Sequence, residues 1–132
     1  MEFRKAMASD SDQIWSIVQY AIQRRKNDGS KQWQDGYPNQ ASIRDDIEKG
    51  WAYVIADEEG ILAYGAVIFD GEPVYAGIEG AWLSDGDYAV VHRVAAAARS
   101  QGMGIATHFF NAVATLVQSR NIKSIKVDTN FD

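Results

Sequence analysis

The chain has 132 residues, 46% of them hydrophobic and 23% charged, the balance of one ordinary globular domain with its own apolar core. It contains no cysteine, which excludes disulfides and thiolate metal sites. A formal net charge of -5 argues against nonspecific nucleic-acid binding, which needs a basic surface. The same charge is compatible with attracting a cationic amine, though the plainer reading is solubility. No apolar run is long enough to cross a bilayer, and Met1 to Asp10 has no apolar signal core. These features read as a cytoplasmic protein with neither nucleic acid nor membrane as a partner.

Met1 to Ala6 reads as a short strand. Ser9 follows as a candidate helix cap, with Asp12 three residues on where a capping box has Glu. Ile14, Ile17, Val18, Ala21 and Ile22 then recur at helical spacing. Arg24, Arg25 and Lys26 suit the negative end of that helix, and Gly29 is its expected stop. Lys31 to Asn39 reads as a loop holding Trp33, Gln34, Tyr37 and Pro38. A second helix is expected from about Gln40 to Lys49, with Asn39 as cap and Gly50 as stop. Trp51 to Ala56 and Ile61 to Phe69 read as an antiparallel hairpin closed by a turn at Asp57 to Gly60. Asp70 to Asp87, rich in glycine, is long enough to suggest a functional segment. Tyr88 to Ala96 is a valine-rich strand, and Ala106, Phe109, Phe110, Val113 and Val117 restore helical spacing. Ile122 to Asp128 closes the chain as a strand. The order is β-α-α-β-β-β-α-β in a single domain over 1–132, and the last strand-helix-strand unit requires a parallel pair.

The most informative stretch is Arg99-Ser100-Gln101-Gly102-Met103-Gly104, set between a strand and a helix. A helix N-terminus carries N–H groups without intrahelical partners and a partial positive charge, which suits an anion. Glycines there let backbone approach a phosphate, and Arg99 can add charge-assisted hydrogen bonds. The plain alternative is a tight strand-to-helix turn. A P-loop is excluded because no Lys-Ser/Thr pair follows the second glycine, and the dinucleotide fingerprint lacks its third glycine in register.

Arg99-x-x-Gly102-x-Gly104 resembles the pyrophosphate loop of the GCN5-related N-acetyltransferase (GNAT) family, R/Q-x-x-G-x-G/A. His92-Arg93-Val94-Ala95 looks like that family's fourth strand, and Asp128-Thr129 resembles the end of its fifth. The likeness runs from end to end and includes Gln32-Trp33-Gln34 and Ile78-Glu79-Gly80-x-Trp82-Leu83. It implies an α/β (α+β) acyl-CoA N-acyltransferase fold, a mixed and mostly antiparallel central sheet flanked by helices. It also implies acetyl-CoA as cosubstrate. Strands four and five would splay apart, with pantetheine lying along Val94, Ala95 and Ala96. The pyrophosphate would meet the turn formed by Arg99, Ser100, Gln101, Gly102, Met103, Gly104, Ile105 and Ala106. Two departures stand out. Only Ala97 and Ala98 separate the strand from Arg99, fewer residues than relatives carry. The chain also stops at Asp132, before the further helix and strands with which the family pattern continues, so the fold reads as C-terminally incomplete. That helix often brings the tyrosine that protonates the leaving thiolate, and no residue here takes that role.

Acetyl transfer requires a deprotonated amine, a polarised carbonyl and a leaving thiolate. Glu79 is the first choice as base or amine anchor, against the alternative of a solvated loop glutamate. His92 is the second, against a hydrogen-bonded strand histidine. A backbone N–H near Val94 can polarise the carbonyl. His108, in the later helix, reads as structural or exposed. Trp33, Gln34, Tyr37 and Trp82 are the candidate acceptor pocket, since loop aromatics bind cations or exclude water, or else pack over the core edge.

Three functions are compatible with this reading. The first is N-acetyl transfer from acetyl-CoA to an amine; the second is non-catalytic acyl-CoA binding by a degenerate relative. The third is an interaction module that pairs through an exposed last strand. That edge, with Ile125 and Val127 on it, predicts a homodimer.

Overall fold

The computed structural model describes residues 1–29, 39–69, 88–120 and 124–127. Strands β1 (Glu2–Lys5), β2 (Ala52–Asp57), β3 (Gly60–Phe69), β4 (Tyr88–Ala96) and β5 (Ser124–Val127) form one sheet in the order β1-β2-β3-β4-β5. Neighbours from β1 to β4 run antiparallel, whereas β4 and β5 are parallel, as the strand-helix-strand unit requires. The helices are α1 (Ser11–Asn27), α2 (Gln40–Glu48) and α3 (Ile105–Ser119).

The sheet is covered on both faces. Ile14, Ile17, Val18 and Ala21 of α1 and Ile43 of α2 pack with Val54, Ile61, Tyr64 and Ala95 on one side. Ile105, Phe109, Val113 and Val117 of α3 pack with Tyr53, Ile55, Leu62 and Val91 on the other. Strand alternation sends Val54 one way and Tyr53 and Ile55 the other, so the central strands are apolar on both faces.

Local chemistry explains where most helices begin and end. The Asn39 carboxamide oxygen accepts from the Ser42 N–H at 2.9 Å, and the Ser42 hydroxyl accepts from the Asn39 N–H at 2.9 Å, so α2 starts as a reciprocal cap. Gly29 and Gly50 follow α1 and α2 with φ of 82° and 76°, the left-handed stop expected of glycine. The expected cap at Ser9 is corrected. A 3-10 turn, Ala8–Asp10, precedes α1, and the group that organises this corner is Asp10. Its carboxylate accepts from the Met7 N–H at 2.7 Å and from the Arg4 guanidinium at 2.8 and 3.2 Å. A buried carboxylate with an arginine across from it is a stronger anchor than a serine hydroxyl.

Candidate active site

The site is assembled where β4 passes into α3. β4 ends at Ala96; Ala97 stays extended, and Ala98–Ser100 forms a 3-10 turn. That turn accommodates the short connection noted in the sequence. Gly102 and Gly104 then take φ of 81° and 63°, with nothing within 4 Å of a Cβ built on either. Gly104 is the cap of α3 and lends it no side chain. The first helical bond runs from the His108 N–H to the Gly104 carbonyl at 3.1 Å, so the amides of Ile105, Ala106 and Thr107 have no intrahelical partner. By contrast, the N–H groups of Gln101 and Met103 donate within the turn, to Ala98 and Ser100. The amides offered outward are therefore those of the glycines and the first turn of α3.

A concavity of about 500 Å³ opens over this turn, lined by Arg24, Ala96, Ala97, residues 100–102 and the start of α3. Tyr20 and Arg24 lie one turn apart on α1, and the Gln101 carboxamide donates to the Tyr20 hydroxyl at 2.9 Å, tying turn to helix. Neither residue was singled out for the site from the sequence, where Arg24 reads only as a helix-end cation. Ser100 is buried and donates to the Ala97 carbonyl at 2.6 Å, so it shapes the turn from within.

Arg99 does not line this concavity. Its guanidinium donates to both Asp57 oxygens, at 2.8 and 3.1 Å, and to the Gly60 carbonyl at 2.9 Å. The expected direct bond to a ligand phosphate gives way here to a brace between the turn and the β2–β3 hairpin. The neighbouring guanidinium holds the Asp57 carboxyl down to about 2.

The end of β4 carries a second irregularity. Ala66 faces His92 and Tyr64 faces Ala95, so Gly65 alone stands opposite Arg93 and Val94. This is a β-bulge, and Arg93 within it has φ of 57°. Gly65 has no room for a side chain, since a Cβ there would lie 2.7 Å from the Phe109 ring and 3.3 Å from Val94. The Arg93 guanidinium meets Asp46 of α2 through two bonds of 2.8 and 3.0 Å, and the Tyr64 hydroxyl donates to the same carboxylate at 2.5 Å. Burial first, and then the Asp46 charge, push the Tyr64 hydroxyl well above its ordinary value. Pairing of β4 with β5 runs from Tyr88 to Val91 among the described residues; Ala95 and Ala96 pair with β3, and Val94 stands in the bulge. Ala95 is buried toward α1, whereas Val94 and Ala96 are partly buried toward α3. His92 is buried in the sheet, and His108 is exposed on α3. Glu79, Trp82, Trp33, Gln34 and Tyr37 lie outside the described residues. Among the described residues no helix is long and apolar enough to cross a membrane.

Three comparisons bear on this geometry. The profile of the acetyltransferase (GNAT) family matches residues 15–132. A GNAT-family acetyltransferase from Streptococcus agalactiae is 30% identical with a TM-score of 0.79, over 98% of this chain and 75% of that one. A GNAT-family acetyltransferase from Listeria monocytogenes shares the fold with a TM-score of 0.81 at 18% identity, over 97% of this chain and 76% of that one. A ribosomal-protein-alanine N-acetyltransferase from Brucella melitensis shares it with a TM-score of 0.67 at 11% identity, over 98% of this chain and 81% of that one. Comparison with curated protein sequences gives no match. The family profile spanning most of the chain, the glycine turn at the head of α3 and the bulged fourth strand agree, and the chain belongs to the GNAT family of acetyltransferases.

Proposed function

We propose that the protein transfers the acetyl group of acetyl-CoA to an amine. The observation that carries this reading is the Gly102–Gly104 turn, which turns the first amides of α3 toward an open concavity beside the end of β4. Open space at both glycines and an uncapped helix start fit a diphosphate, which accepts several N–H bonds at once and is favoured by the helix dipole. Gly102, Gly104, Ile105 and Ala106 would hold that diphosphate, while Ser100, Gln101 and Met103 shape the turn and Arg99 braces it. The pantetheine arm would run along Val94, Ala95 and Ala96, which lie beyond the β4–β5 pairs of the described residues.

The chemistry needs few side chains. The amine nitrogen attacks the thioester carbon, the C–S bond breaks, and the sulfur leaves as thiolate. An N–H of the bulge at Val94 supplies the hydrogen bond that strengthens as charge builds on the carbonyl oxygen. Glu79 takes the amine's proton or anchors the ammonium, and His92 is the second candidate for that task. Trp33, Gln34, Tyr37 and Trp82 frame the acceptor. In solution two copies associate through the β5 edge.

Calorimetry with CoA, followed by a thiol-release assay over a panel of amines, tests this reading. Wild type should bind CoA and release thiol. Gly102→Val, a branched side chain forced to φ of 81°, should lose CoA binding while staying folded. Glu79→Gln should bind CoA normally and turn over more slowly. CoA binding without thiol release from any amine would favour a non-catalytic acyl-CoA binder. Unchanged affinity in a folded Gly102→Val protein would remove the turn from the site.

A further inference from the structure

Among the described residues, Arg93 is the one non-glycine residue with positive φ. A long L side chain in that region is strained and persists only where surrounding contacts determine it. Among the described residues, the side-chain contacts that hold it come from another element. Asp46 of α2 is 2% exposed, and its two oxygens grip the Arg93 guanidinium as a fork. The same carboxylate accepts the hydroxyl of Tyr64, whose strand partner is Ala95, on the far side of the bulge. One buried carboxylate thus holds both the bulged residue and the strand facing it.

Stability alone is a weak reason for such a pair, because a buried ion pair rarely outperforms a well-packed apolar replacement. What the fork does supply is direction. It fixes where the Arg93 side chain leaves the strand, and so fixes the peptide between Arg93 and Val94. We propose that Asp46 is a positioning residue for acyl transfer, which grips Arg93 so that the β4 bulge stays left-handed and the Val94 N–H stays aimed at the thioester carbonyl. This rests on the acetyl-transfer reading above. It adds α2, a helix with no part in the glycine turn, to the machinery of the reaction.

The test separates conformation from charge. D46N/R93G and D46N/R93A both lack the ion pair and both keep an amide at position 46 for Tyr64. They differ by one methyl group, which glycine lacks and which disfavours positive φ. Misplacing a catalytic group by about 1 Å costs up to a hundredfold in rate, so the two should part clearly. D46N/R93G should keep kcat within about threefold of wild type, whereas D46N/R93A should fall about tenfold or more, with CoA affinity held within about threefold in both. The midpoints of the pH–rate profile in both should match wild type, because Asp46 exchanges no proton with substrate. Equal kcat in the two folded double variants overturns the proposal, as does a folded D46N with wild-type kcat. Should the wild type bind CoA and acetylate no amine, the acetyl-transfer reading fails by itself. The Val94 amide resonance then decides the clamp: unmoved from wild type in D46N/R93G and displaced in D46N/R93A supports it, and equal displacement in both removes it.

Discussion

Two arginines six residues apart take opposite roles. Arg93 is drawn inward to Asp46, and Arg99 outward to Asp57. The second pair has a pH signature. Asp57 titrates at about 2 in the folded chain against an ordinary 3.8, because the Arg99 guanidinium bonds its ionised form. A carboxyl lowered on folding contributes stability that is present above 3.8 and is lost as pH falls through about 2. Side-chain NMR should therefore find the Asp57 midpoint near 2, moving back toward 3.8 in Arg99→Gln. A wild-type midpoint already near 3.8 would show that the brace does not form in solution. Gly102 and Gly104 were legible in the sequence as positions needing unusual backbone, and both have positive φ. The partner of Arg99 was not legible, since Asp57 lies 42 residues earlier and only the sheet brings it alongside.

At the scale of elements, the contact of α3 with the bulge is set by one missing side chain. Gly65 lets the Phe109 ring lie against β3, and an added Cβ would sit 2.7 Å from it. Gly65→Ala should destabilise the fold by about 1–3 kcal/mol through overpacking, measured by urea unfolding. Phe109→Leu removes the obstructing ring, so in that background the alanine should cost clearly less. Strictly additive losses in the double variant would mean the two positions do not compete for space. The strands and helices themselves were readable from periodicity, down to the bounds of β4 at Tyr88 and Ala96. The start of α1 was not. Ser9 has the right chemistry for a cap, yet Arg4 from β1 gives Asp10 the stronger set of bonds.

Across the whole molecule, β5 is the last strand of the sheet among the described residues, and Ile125 on it is 39% exposed. An edge strand offers unpaired N–H and C=O groups to another strand, and an exposed apolar side chain favours such pairing. Sedimentation over a concentration series should show mass rising toward that of a dimer, and Ile125→Lys should hold the chain monomeric by placing charge on the edge. A wild type that stays monomeric at every concentration rules out association through β5.

Sequence alone determined the order of elements, the apolar faces of α1 and α3, the parallel final pair and the glycine turn ahead of α3. All of these depend on residues close together in the chain: spacing of apolar side chains, glycine where φ turns positive, and a cap beside the helix it starts. Tertiary structure decided which polar groups meet. Asp46 and Arg93 are 47 residues apart, and nothing local marks either as the other's partner. Their meeting follows from α2 lying over the face of the sheet toward which the bulge turns Arg93. A long-range ion pair of this kind is set by sheet order and register, which no local pattern in the chain encodes.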